Sequence, residues 1–156
     1  MNLYESISEQ SYILNERTAR EIFSILPEGG LLVAIMDRQG NFWPSDSDRF
    51  SKLDIEHQIF DELRARIDDG VEPVIVHLND FCVAAKQLAT TETNCGYIIV
   101  ALEKAGSDMP IQSRDLIEMI LNQAVLITQL IEKNHKLHEF HNKHLTSYKT
   151  GQLAVN

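Results

Sequence analysis

From Ser113 to Thr150 the chain contains neither glycine nor proline, and the stretch is dominated by Leu, Ile, Met, Gln, Glu and Lys. These residues carry good helix propensity, so one long helix is predicted from Ser113 to about Tyr148. Ser113 is the predicted N-cap, with Asp115 and Glu118 near the positive end of the helix dipole. At 1.5 Å per residue, a helix of roughly 35 residues is about 50 Å long, more than one small domain can cover. Leu116, Ile120, Gln123, Ile127, Leu130, Asn134, Leu137, His141, His144 and Tyr148 follow one another in alternating steps of four and three, a heptad seam. Its first half is apolar and its second half polar. The expectation is a dimer interface through Leu116, Ile120, Gln123, Ile127, Leu130 and Asn134, with signalling or an unordered tail beyond.

The chain of 156 residues is long enough for one domain with its own core. The expected organisation is an N-terminal helix over residues 1–27, a sheet-and-helix core over 28–112, and the long helix over 113–150. A net charge of −9 argues against nucleic acid and anionic membranes as partners. No uncharged apolar run reaches membrane-spanning length. The opening Met1-Asn-Leu-Tyr-Glu-Ser has acid where a secretory signal carries base and apolar residues, so a cytoplasmic location is expected. Cys82 and Cys95 lie in apolar runs without metal-ligand spacing, as small hydrophobes would.

Taken in order, residues 3–25 read as a helix with a thin apolar face, stopped at Pro27-Glu-Gly-Gly30. Leu31 to Met36 reads as a buried strand, Asp37 to Asn41 as a turn, and Asn41-Phe-Trp43 as the start of a returning strand that Pro44 keeps short and near an edge. Ser45 to Asp48 offers N-caps for one helix carrying Phe50, Leu53, Phe60, Leu63 and Ile67 and ending at Asp69-Gly70. Three strands are then predicted, Val71 to Leu78, Phe81 to Ala89 and Gly96 to Leu102. This order is that of an α+β fold with an antiparallel sheet of about five strands, flanked by helices, with long helices at both ends.

Leu32-Val-Ala-Ile-Met-Asp37-Arg-Gln-Gly40-Asn-Phe42 resembles the strand–Asp–turn–Gly–strand opening of the GAF/PAS superfamily of cytoplasmic sensory domains. Phe81-Cys-Val-Ala-Ala-Lys86 with Cys95-Gly96-Tyr-Ile-Ile-Val-Ala101 is similar to the last GAF hairpin, and Asp115 to Leu130 resembles the terminal GAF helix. The resemblance covers roughly residues 31–131. It implies a sensory or regulatory module without enzymatic activity, a small-molecule pocket between sheet and helices, and homodimerisation through the terminal helices. The cofactor is left open. In the tail, His138-Glu-Phe-His-Asn-Lys143 is similar to the His-(Glu/Asp)-Phe-x-Asn box of citrate- and dicarboxylate-type sensor kinases. That resemblance implies a phosphoacceptor at His138 and, as an alternative function, phosphotransfer. The following His144-Leu-Thr-Ser-Tyr-Lys149 departs from the pattern by being more polar. A third alternative is a scaffold or dimerisation module whose interior is filled by its own side chains.

Few residues suggest chemistry. His135, His138, His141 and His144 recur every third residue, so they fan over half the helix circumference; neighbouring pairs could share a metal ion, but all four cannot converge on it. A solvated helix end is the simpler expectation; histidines of two chains meeting across a dimer seam are the alternative. Trp43, His57, His77 and Cys82 are the candidate ligand-binding residues. Trp43 leads because an indole offers a broad face and one donor, while His57 lies beside the apolar stripe of the middle helix and His77 alternates away from Val76 in its strand. Lys86 alternates with apolar neighbours and is expected to face solvent. No zincin motif, glycine-rich phosphate loop or serine elbow is present, so neither catalytic residues nor a metal site are assigned.

Overall fold

The computed structural model describes residues 14–26, 31–90, 94–103 and 111–155. Helix α1 spans Glu16–Ile25. Asn15 caps it by accepting from the Thr18 backbone N–H at 2.9 Å, and Ala19 and Ile22 form its buried face. The part of the expected N-terminal helix before Leu14 lies outside the described residues.

Strand β1 is Leu32–Asp37 and is buried along its whole length, as its unbroken apolar run requires. The Asp37 carboxylate then organises the turn. Its Oδ1 accepts from the Gln39 and Asn41 backbone N–H groups at 3.0 and 2.8 Å, and its Oδ2 accepts from Asn41 Nδ2 at 2.8 Å. Strand β2, Phe42–Pro44, returns alongside β1 at the edge of the sheet, where the missing Pro44 N–H costs no ladder bond.

The single helix expected next is two. Helix α2, Ser47–Leu53, is capped by Asp46, and helix α3 runs His57–Asp68. Between them Asp54 adopts the left-handed conformation at φ 49°, which a short polar side chain tolerates better than most. The predicted end at Asp69-Gly70 holds: Gly70 takes φ 91°, and the Gly70 and Val71 N–H groups close onto Ile67 and Arg66 carbonyls.

Strands β3 (Val74–His77), β4 (Phe81–Ala89) and β5 (Asn94–Glu103) follow. β3 is shorter than expected because Pro73, which cannot donate to a ladder, precedes it. All pairings are antiparallel and the described strands form a five-stranded sheet ordered β2-β1-β5-β4-β3. Gly96 is required where β5 meets β1. Its φ is 151°, and a Cβ there would stand 2.3 Å from the Met36 carbonyl oxygen.

Helix α4 spans Ile111–Val155. It starts earlier than expected, because Ile111 and Gln112 join the helix, and Ser113 falls inside its first turn rather than at its cap. The sheet is covered on both sides. Ile35, Cys82, Leu88, Ile98 and Val100 pack with Ile22 of α1 and with Ile117, Leu121 and Ala124 of α4. On the other face Met36, Val74, Val83, Tyr97 and Ile99 pack with Phe50 of α2 and with Leu63 and Ile67 of α3. The fold is α+β, a five-stranded antiparallel sheet between helices, as the order of sequence patterns predicts.

Candidate interaction surface on the long helix

Helix α4 has two unlike faces. Ile117, Ile120, Leu121, Ala124 and Thr128 are buried against the sheet and α1. Thr128 returns its hydroxyl to the Ala124 carbonyl at 2.8 Å, so a polar side chain enters this face without an unmet donor. Lys86 does not simply face solvent: it is half-buried, and its Nζ donates to Asn122 Oδ1 at 2.8 Å, tying β4 to α4. Farther along, Glu132 is buried, with Lys136 Nζ 3.0 Å from its Oε1 at ion-pair distance but outside hydrogen-bond geometry. His135 Nε2 lies 3.9 Å from the Glu21 carboxylate of α1.

The opposite face carries large apolar side chains that the domain leaves open. Leu116, Met119, Leu126, Leu130, Leu137 and Phe140 are exposed, from 38% at Leu116 to 70% at Phe140. Gln123, half-buried, and Lys133, exposed, complete the series 116, 119, 123, 126, 130, 133, 137, 140. Its steps alternate three and four, the spacing of coiled-coil core positions. Scattered exposed leucines need no explanation, but six large apolar side chains aligned on one helix face, interrupted by Gln123 and Lys133, make a candidate interaction surface. The stripe is about 36 Å long by the helical rise.

The expected interface residues divide between these faces. Leu116, Leu130 and Asn134 are exposed and Gln123 is half-buried. Ile120, in contrast, is 3% exposed within the core, and Ile127 packs half-buried against the same cluster. Met119, Leu126, Lys133 and Phe140 take up the alternate positions on the open side. Their three–four spacing was present in the sequence, but periodicity alone does not say which of two overlapping stripes the domain will claim.

The four candidate ligand residues do not share one site, although His77 and Cys82 are cross-strand neighbours. Trp43 is half-buried on edge strand β2, whereas His77 is exposed on β3 at the opposite edge. Cys82 pairs with His77 across β3 and β4, and its side chain is fully buried in the core. His57 stands exposed at the start of α3, its ring 6.5 Å from that of Phe60. Among the described residues, grooves open on either side of α2. One, of about 210 Å³, is lined by Leu32, Arg49, Leu53, Phe81, Leu102 and Glu103. The other, of about 240 Å³, is lined by Phe42, Phe50, Asp54, Ile55 and Phe60. Both are smaller than the roughly 300 Å³ at which small-molecule pockets begin. Neither includes Trp43, His57, His77 or Cys82.

His138 and His141 are exposed on α4, while the side chains of His144 and Tyr148 lie outside the described residues. Among the described residues, no group of three or more His, Cys, Asp or Glu is placed to hold a metal ion. No helix among them is long and apolar enough to cross a membrane. Comparison with known proteins gives no match to a family model, a curated protein or a solved structure.

Proposed function

We propose that this chain is a non-enzymatic, GAF-like regulatory module that works as a homodimer joined through α4. The observation that carries this reading is the apolar heptad stripe from Leu116 to Phe140, which faces away from the domain that α4 helps to build. A helix shared between a sheet core on one side and a partner on the other is a lever. A small molecule or protein that shifts the packing of α1 or the sheet on Ile117, Leu121 and Ala124 changes the geometry of the open face directly. Such binding would act by favouring one of two packings of the helix, and its effect is bounded by its difference in affinity for them.

Native mass spectrometry of the purified chain at tens of micromolar tests this reading. The expected result is a dimer, with any retained small molecule visible as added mass. A monomer across that range contradicts the proposal.

A further inference from the structure

The stripe on α4 has an internal symmetry that bears on how two copies would meet. Reading outward from residue 128, Leu126 mirrors Leu130, Gln123 mirrors Lys133, Met119 mirrors Leu137, and Leu116 mirrors Phe140. Apolar positions mirror apolar ones, and the two polar positions mirror each other. In an antiparallel pair of helices, each core position of one helix packs against the mirrored position of the other. In a parallel pair, each position packs against its own copy.

We propose that two copies of this chain associate through α4 as an antiparallel coiled coil centred near residue 128; this rests on the dimeric reading given above. In that arrangement the Gln123 side chain of one copy lies beside Lys133 of the other, twice per dimer, so the amide carbonyl can accept from the ammonium. Every other layer is apolar against apolar. The parallel arrangement instead stacks Lys133 on Lys133 inside the seam, two like charges in a partly desolvated layer. Flanking positions agree with the antiparallel choice: Asp115 of one copy falls opposite Lys143 of the other.

The geometry of the fold leaves room for this partner. Ile117, Leu121, Ala124 and Thr128 point into the domain, and the stripe lies on the other side of the helix. Among the described residues, the sheet therefore lies on the side of α4 away from the stripe. With a length of about 36 Å and a helix width of about 10 Å, the stripe offers on the order of 360 Å² before its flanks are counted. That is within the range of the largest patches on soluble chains, which are commonly functional.

Sedimentation equilibrium on the intact chain and on exposed-face variants decides the arrangement. Gln123→Glu places a carboxylate beside Lys133 of the other copy, and dimer affinity is expected to rise roughly tenfold. Gln123→Lys should lower it at least about tenfold, and adding Lys133→Glu to that variant should restore it, because opposite charges face again. Circular dichroism should be unchanged in all three, since neither position belongs to the buried core. A parallel pair gives the reverse: Gln123→Glu sets like charges together and weakens the dimer, and the double variant carries two repulsive layers. That result overturns the antiparallel arrangement while leaving the dimer intact. No response to any variant overturns it as well, by placing the contact elsewhere. A wild-type chain that stays monomeric removes the dimeric reading itself.

Discussion

Lys86 Nζ donates a 2.8 Å hydrogen bond to Asn122 Oδ1, joining the middle of β4 to the first half of α4. A lysine alternating with apolar residues in a strand is ordinarily read as solvent-facing. Here the side chain is half-buried and its charge reaches a helix side chain. Asn122 sits at the border between the face of α4 that the domain covers and the face it leaves open. The bond adds to the packing of Ile117, Leu121 and Ala124, which turns the stripe away from the sheet.

Lys86→Ala and Asn122→Ala should each lower folding stability by about 1 kcal/mol, the ordinary net worth of such a bond. If the pair acts as one interaction, the double variant should cost less than the sum of the two, by roughly 0.5 kcal/mol or more. Chemical denaturation of the single and double variants measures this. Simple addition of the two losses would mean that the bond does not hold the helix.

Tyr97 links β5 to the end of α3 on the other face of the sheet. Its phenol donates to Asp68 Oδ1 at 2.8 Å, and the Arg64 guanidinium lies 5.8 Å from the ring centroid. Burial first, and then the hydrogen bond to Asp68, push the Tyr97 pKa above its ordinary value of 10.0. A group that holds its proton more tightly when folded contributes stability in full below the unfolded value. That contribution is lost as pH climbs from about 10 through the raised native value. Tyr97→Phe should therefore cost about 1 kcal/mol near neutrality and flatten the loss of stability above pH 10. Denaturant titrations at neutral and alkaline pH test both parts. An unchanged alkaline slope in the variant would assign that loss to other groups.

Gly96 allows the closest approach between β5 and β1. An alanine there would bring its Cβ to 2.3 Å from the Met36 carbonyl oxygen, on a backbone at φ 151° that L-residues rarely adopt. Backbone cannot move aside as a side-chain tip can, so Gly96→Ala should cost about 2–4 kcal/mol. Gly70, also at positive φ but with nothing within 4 Å of the added atom, provides the comparison. Gly70→Ala should cost only about 1 kcal/mol, from its backbone conformation alone. Thermal denaturation that ranked the two the other way would contradict the close contact.

Much of this fold is legible in the order of hydrophobic patterns. The unbroken run at β1, the alternation of Val74, Val76 and Leu78, and the Asp37–Asn41 turn each specify their element locally, and the sheet follows from them. The break between α2 and α3 was hidden because Asp54 fits a helix as readily as a left-handed turn, and only tertiary packing chooses. The candidate ligand residues show the opposite limit. Trp43 and His77 each suit a pocket by residue type, but strand order places them on opposite edges of the sheet, and strand order is set by long-range pairing. On α4 the sequence offered two interleaved stripes sharing Leu116, Gln123, Leu130 and Leu137. The domain claims Ile120 and Ile127 because they lie nearer Ile117, Leu121 and Ala124 around the helix, which leaves Met119, Leu126 and Phe140 outside.

The central claim is that the open stripe of α4 holds two copies of the chain together. Sedimentation velocity of the wild-type chain beside a Leu126→Ser/Leu130→Ser variant, both at tens of micromolar, tests it most directly. These leucines are 59% and 64% exposed, so their replacement should leave the fold intact by circular dichroism. The wild-type chain should sediment as a dimer and the variant as a folded monomer. A monomeric wild type, or a variant that remains dimeric, would contradict the claim.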